Sequence, residues 1–381
     1  MSSPSVVSIA FQIIVAVAAN SALFPQNAAA QSGLTSMTQT FRNWATSNGI
    51  GNAIMVVAGA NGPIANSVVG TTWNANTRRP IASNSKAITA ICLQTLIDSG
   101  RLTLTDTIKQ RLPSFFNGLT GTGQQRAGEI TIEHLLRHTS GLAETTQGAD
   151  FATALASPNP VAWFTNMALN AGTFGTPGDR YEYRNVNYHL LGMMIEATTG
   201  ATYESYCQTN ALGRFGAAGA ISGNAGIRAL GAGGGWEISA NDYSNFFRQA
   251  FNRRNMSDAA RTFVDKFADP TCSTCAYGLG SRIQTASYIN VPLAVFPLRN
   301  SQGVSQHVVI DSATLAALPN YNLLHEGDWS DSHTTPQQFS SVIGYWANGV
   351  SAIIITDRTL GGALNTLETA LAPGALQIVD P

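Results

Sequence analysis

Ser83-Asn84-Ser85-Lys86 stands at the head of a strongly helical run, Ala87 to Ser99, rich in Ile, Leu and Ala and closed by Gly100. Residues three apart share a helix face, so the Lys86 amine can reach the Ser83 hydroxyl. A helix N-terminus also presents free N–H groups and a positive dipole end, which favour developing negative charge. A hydroxyl, an adjacent amine and a positive field together describe an activated nucleophile. S-x-x-K alone favours a plainer reading, with Ser83 or Ser85 capping the helix and Lys86 in solvent, because serine is a preferred N-cap residue.

Two further stretches narrow the choice. Tyr181-Glu182-Tyr183-Arg184-Asn185 leads into a second apolar helical run, His189 to Ala197. A tyrosine beside cations can act as a general base, and an asparagine can hold a lysine and a substrate amide at once. Later, His325-Glu326-Gly327 follows the apolar Tyr321–Leu324 and reads as a strand carrying a polar motif, with a glycine that permits close backbone approach.

Ser83-x-x-Lys86, Tyr183-x-Asn185 and His325-x-Gly327, in that order, resemble the motifs of the serine β-lactamase and penicillin-binding superfamily, in the branch of class C β-lactamases, D-alanyl-D-alanine carboxypeptidases and related esterases. The flanks are similar to family segments as well: Pro80-Ile81-Ala82, Asp98 to Asp106, Ile130 to Leu142, Gly233 to Tyr243, and Tyr277 to Gly280. The resemblance runs from about Gly33 to the C-terminus. It implies an α+β, β-lactamase/transpeptidase-like fold: an antiparallel sheet from both chain ends, flanked by helices, plus an all-helical lobe. The expected division is an α/β lobe over about 31–95 and 280–381 and a helical lobe over about 96–279. It also implies an acyl-enzyme formed at Ser83, with Lys86 and Tyr183 sharing the base role. Asn185 would position Lys86 and substrate, and His325 would support Tyr183. The backbone N–H groups of Ser83 and Asp328, beside Gly327, would form the oxyanion hole. No metal or organic cofactor is implied.

The chain departs from the family pattern in three places. Arg184 stands where a small residue is common, Glu326 and Asp328 flank Gly327, and some forty residues separate Gly280 from His325, with apolar runs at Tyr288–Phe296 and His307–Ile310. Two acids beside the site weigh against an anionic substrate. Small esters or D-amino-acid peptides therefore rank before β-lactams. A slowly deacylating or non-catalytic protein that binds penicillin or peptidoglycan is the alternative of another class.

Composition sets the remaining bounds. Val6–Ala19 is apolar, long enough for a signal peptide and short for a membrane span, and Ala28-x-Ala30 offers cleavage before Gln31, although Met1–Ser5 lacks Lys or Arg. Residues 1–30 thus read as a leader, 31–381 as the hydrolase domain, and the location as secreted or periplasmic. A charged fraction of 11% and net charge −1, with no basic block, exclude a nucleic-acid partner; the partner is a small-molecule or peptide substrate. No G-x-S-x-G, Walker loop or dinucleotide fingerprint occurs. His134 and His138 lack the glutamate of a helical zinc motif, and Glu326, Asp328, Asp331 and His333 read as a solvated acidic loop. Cys272 and Cys275 suit a small loop disulfide, Cys92 reads as a core thiol, and Cys207 has no assigned place. A helix is expected over Thr35–Asn48. Strands are expected at Ala53–Ala58 and Ser67–Trp73, and a hairpin at Phe339–Ala347 and Ser351–Thr356. The last element is a helix, Leu360–Leu376, broken near Pro373.

Overall fold

The computed structural model describes residues 24–59, 61–146, 148–171, 175–252, 255–260, 277–285, 321–331, 337–346, 348–360 and 363–378. The expected leader core, the Cys272–Cys275 pair, both apolar runs after Thr285 and His333 lie outside them.

The organising element is a seven-stranded antiparallel sheet drawn from both chain ends, as the fold class requires. Its strands are β1 (Ala53–Gly59), β2 (Gly62–Val69), β6 (Tyr277–Gly278), β7 (Ser281–Thr285), β8 (Tyr321–Asp331), β9 (Gln337–Tyr345) and β10 (Ser351–Thr356), in the order β2-β1-β10-β9-β8-β7-β6. Every residue of β1 is buried, because the strand lies inside the edge strand β2 and is covered on both faces. Alternation divides its side chains between two cores. Met55 and Val57 join Ile354, Val342, Met37 and Phe41 on one face; Ile54 and Val56 join Ile353 and Ile355 on the other.

The first face is covered by helices from the two ends, α1 (Phe24–Ser47) and a C-terminal helix, Ala363–Gln377. Met37 and Phe41, spaced four apart on α1, are fully buried there. The helices cross closely: a Cβ on Gly33 would lie 2.5 Å from the Gly374 carbonyl oxygen. The C-terminal helix runs through Pro373 without the expected break, held in line where Gly374 packs on Met37. Ala28, Ala30 and Gln31 lie within α1. No helix among the described residues is long and apolar enough to cross a membrane.

The hairpin at residues 339–356 forms as the sequence indicates. β2, however, starts at Gly62, straight after the turn, and ends at Val69 instead of Trp73. Gly70 closes it at φ +81, with its Cα against the Gly51 carbonyl and the Asn52 side chain, a spot no Cβ fits.

On the second face lies α2 (Ser85–Asp98), whose buried side includes Ile88, Ile91, Leu93 and Leu96. A small sheet of β3 (Arg79–Pro80), β4 (Gly219–Ile221) and β5 (Trp236–Ile238), in the order β3-β5-β4, leads the chain into α2. Most of residues 108–250 are helical, including α3 (Asn185–Thr199) and α4 (Ala240–Ala250). Cys92 is not a free thiol: it is bonded to Cys207, with both residues fully buried and Cα atoms 5.2 Å apart. Cys92 lies in α2 and Cys207 ends the short helix Tyr203–Cys207, so the bridge ties the Ser83–Lys86 helix to the helical region.

Candidate active site

Ser83 sits in a 3₁₀ turn, Ala82–Asn84, one step ahead of α2. Ala82 before it holds φ +43, a left-handed conformation that costs a non-glycine residue free energy and survives only where neighbours enforce it. The neighbours here are specific. Ile81 N–H donates to the Trp236 carbonyl, and Trp236 N–H donates to Ser85 Oγ at 3.1 Å. Asn84 Nδ2 donates to Ser341 Oγ at 2.7 Å, and the Tyr243 hydroxyl donates to the Asn84 carbonyl at 2.9 Å. Ser85 thus anchors a strand, and neither it nor Ser83 provides the side-chain cap of α2.

Lys86 is fully buried. Its Nζ lies 3.0 Å from Ser83 Oγ, 2.7 Å from Asn185 Oδ1 and 2.6 Å from the Gly233 carbonyl oxygen. Among the described residues it pairs with no carboxylate. Burial pulls its pKa from 10.5 to about 7, against an opposing effect of the Glu144 charge. Nζ donates toward all three acceptors, enough for the three N–H groups of an ammonium. In the neutral form that burial favours, two N–H groups serve Asn185 Oδ1 and the Gly233 carbonyl, which can only accept, and the lone pair is left for the Ser83 hydroxyl proton.

Tyr183 and Asn185 arrive at the start of α3. Lys86 Nζ lies 4.8 Å from the Tyr183 ring centre and 5.7 Å from that of Tyr188. Burial pushes the Tyr183 phenol well above 10, an effect only partly offset by hydrogen bonding toward Ser83. Among the described residues its hydroxyl makes no aligned hydrogen bond. Arg184, the departure from the small residue, turns away from Lys86. Its Nε donates to the Leu142 carbonyl at 3.2 Å and its Nη2 pairs with Glu182 at 3.0 Å.

His325 lies on β8 within ring contact of Tyr183, centroids 6.1 Å apart, without a hydrogen bond between them. Its nitrogens are taken by the Tyr277 hydroxyl (2.8 Å) and the Glu326 carbonyl (2.6 Å). Burial, then the charges of Lys86 and Arg282, hold its pKa well below 6.5, so it is neutral. Gly327 abuts the serine turn. A Cβ there would collide with the Ile81 carbonyl and lie 2.9 Å from both Ala82 Cβ and Ser341 Oγ. The two flanking acids are engaged. Glu326 pairs with Arg282 at 2.8 Å, while Asp328 Oδ1 accepts from Ser340 Oγ and from Leu360 N–H. Arg282 offsets the Glu326 charge, while Asp328 is held by neutral donors, so the electrostatic objection to an anionic substrate is weakened.

Several participants escaped the sequence reading. Gly280 (φ +77) lies on the Lys86–Ala87 backbone, where no Cβ fits, and sets β6 and β7 against α2. His138, buried at φ +56, packs its ring at a tilt against Tyr183 with ring centres 4.3 Å apart, and its Nδ1 accepts from Arg184 N–H at 3.1 Å. Both lie in segments singled out for their family likeness, so a signal existed. Glu144 and Thr146 lie just past one such segment and had none. Glu144 Oε2 accepts from Asn185 N–H at 3.0 Å, and Asn185 Nδ2 donates to Thr146 Oγ1 at 3.0 Å. His134 accepts from Thr131 N–H through Nδ1, in a helix cap. Among the described residues no three His, Cys, Asp or Glu side chains converge on a metal-sized site.

The chain has relatives. A family model described as Beta-lactamase matches residues 37–271, more than half of the chain. Protein flp of Staphylococcus aureus (strain NCTC 8325 / PS 47) is 33% identical over 130 residues, covering 34% of this chain and 25% of that protein. The chain therefore aligns with about a quarter of that relative's length. Among solved structures, EstCE1, a hydrolase with promiscuous acyltransferase activity, superposes with a TM-score of 0.65 at 15% identity over 92% of this chain and 100% of that one. A D-stereospecific amidohydrolase from Streptomyces sp. gives 0.60 at 18% identity over 88% and 98%. Identities this low speak for the fold alone, but the family match carries further: the chain belongs to the beta-lactamase family, within the serine β-lactamase and penicillin-binding superfamily.

Proposed function

We propose that the protein is an exported serine hydrolase that forms an acyl-enzyme at Ser83 with small esters or D-amino-acid peptides. The observation that carries this reading is the Lys86 amine, fully buried, 3.0 Å from Ser83 Oγ and, among the described residues, without a carboxylate partner. A lysine with a pKa of about 7 is half neutral at physiological pH and can take a proton from an adjacent hydroxyl.

In this scheme Ser83 Oγ attacks the substrate carbonyl as its proton passes to Lys86 Nζ. The Ser83 and Asp328 amides stabilise the oxyanion. Tyr183 differs from the shared base of the sequence reading. Burial keeps its proton on, so it donates to the leaving group and is recharged from Lys86. Water then attacks the acyl-enzyme with the same groups in reverse. Asn185 fixes Lys86, and His325 and Tyr277 wall the far side of Tyr183.

Export rests on the apolar Val6–Ala19 segment and on the buried Cys92–Cys207 bridge, since such bonds persist in oxidising compartments. Cleavage before Gln31 would shorten α1 but spare Gly33, Met37 and Phe41. The divided helical and α/β lobes belong to the same proposal. A β-lactamase is the second reading, favoured by the engagement of Glu326 and Asp328.

The test is turnover of a p-nitrophenyl ester, a D-alanyl-D-alanine peptide and a chromogenic cephalosporin by wild type and Ser83→Ala. Ester or D-peptide hydrolysis lost in the variant is the expected result. Preferred turnover of the cephalosporin selects the second reading. A single equivalent of product without turnover makes the protein a binding protein instead.

A further inference from the structure

Lys86 is walled by groups that carry no charge near neutral pH. Burial keeps the Tyr183 and Tyr188 phenols protonated, and it holds His138, His189 and His325 neutral. Among the described residues, Glu144 is the acid whose charge reaches the amine. Its carboxylate is a hub of donors. Oε2 accepts from Asn185 N–H at 3.0 Å, at the N-terminus of α3. Oε1 accepts from Thr145 N–H at 3.1 Å, Thr146 N–H at 2.8 Å and Thr146 Oγ1 at 2.5 Å. The chain continues inward: Asn185 Nδ2 donates to Thr146 Oγ1 at 3.0 Å, and Lys86 Nζ donates to Asn185 Oδ1 at 2.7 Å. Every bond in Lys86–Asn185–Thr146–Glu144 points toward the carboxylate. Such a chain polarises each member and fixes which end of the Asn185 amide faces the lysine.

We propose that Glu144 is a positioning residue for the Ser83–Lys86 pair, acting through Thr146 and Asn185 to orient the amine and hold its proton. This rests on the hydrolase reading for its consequence in catalysis, but not for its measurement. A merely structural cap on the turn at residues 144–146 would hold the same backbone N–H groups and leave Lys86 indifferent.

Glu144→Gln separates the two. It removes the charge, keeps the size and sets an amide donor against Asn185 N–H. The chain has three lysines, Lys86, Lys109 and Lys266, so 13Cε-lysine NMR resolves each titration directly. In wild type one lysine is expected to titrate near 7 and to be absent from Lys86→Met spectra. In Glu144→Gln that midpoint is expected to fall by about one pH unit, the lower end of what a nearby charge imposes. The acid limb of kcat/KM should move with it, and Glu144→Asp should restore much of both. An unmoved Lys86 midpoint in folded Glu144→Gln overturns the proposal.

Thr146→Val guards against a variant that does not fold. It breaks the chain but leaves the three backbone bonds to Glu144, and is expected to slow Ser83 acylation about tenfold, the worth of one good hydrogen bond. A wild-type acylation rate there also overturns the proposal. If instead the lysine midpoint moves as expected while no serine adduct forms in any variant, the hydrolase reading fails and the placement of Glu144 stands.

Discussion

Replacing Lys86 by methionine should change how stability depends on pH. In the folded protein the amine has a pKa of about 7, against 10.5 for an ordinary lysine. At about 1.36 kcal/mol per pH unit, that gap amounts to roughly 5 kcal/mol when complete. Below pH 7 both states hold the proton and the burial penalty is full and constant. Between 7 and 10.5 the unfolded chain holds more protons than the folded one, so wild-type stability rises with pH across that window. Methionine fills the site without titrating. It also leaves Asn185 Oδ1 and the Gly233 carbonyl without the lysine donor, at about 1–3 kcal/mol each, but that cost does not depend on pH. The useful quantity is therefore the wild-type stability minus that of Lys86→Met, from urea unfolding followed by tryptophan fluorescence. It should be flat from pH 5 to 6.5 and then shift in favour of wild type by about 2 kcal/mol between pH 7 and 9. The interval stops short of the tyrosines, whose own titration would intrude above it. A flat difference from pH 7 to 9 would mean that Lys86 keeps an ordinary pKa, and the neutral-amine geometry would be wrong.

Other outcomes follow from the same contacts. Tyr183→Phe should lower kcat by about 10²–10⁴ while the acid limb near pH 7 survives, because that limb belongs to Lys86; its disappearance in a pH–rate profile would return the base role to the tyrosine. Gly327→Ala should cost about a hundredfold in kcat, because its Cβ would displace the Ile81–Ala82 backbone ahead of the serine; wild-type kinetics would show that the serine turn tolerates the shift. Replacing Cys92 and Cys207 together by serine should lower stability in urea by roughly 4–5 kcal/mol, the scale for opening a loop of their 115-residue separation; an unchanged midpoint with and without dithiothreitol would deny the bond.

Much of this was legible in the chain because local rules and global fold agree. Met37 and Phe41 at helical spacing, the unbroken apolar run of β1 and the Asn348-Gly349 hairpin each report their surroundings directly. Ser83 and Lys86 were legible because three-residue spacing across a helical turn brings the two side chains together, here from a 3₁₀ turn into α2. What was hidden depends on contacts far apart in sequence. Cys92 looks like any apolar helix residue until Cys207 is folded against it. Pro373 normally ends a helix, and only the packing of Gly374 on α1 shows why this one continues. Glu326 and Asp328 read as charges facing a ligand until Arg282 and Ser340 are in place beside them. Glu144 has no distinctive spacing from Lys86 or Asn185; its role exists only in three dimensions.

The most direct test of the central claim is intact-mass spectrometry of the full chain after incubation with a fluorophosphonate, followed by peptide mapping. A single adduct on Ser83, absent from Ser83→Ala and slowed in Lys86→Met, is the expected result. An adduct on another serine such as Ser85 or Ser140, or none on folded protein, would contradict Ser83 as the nucleophile and Lys86 as its base.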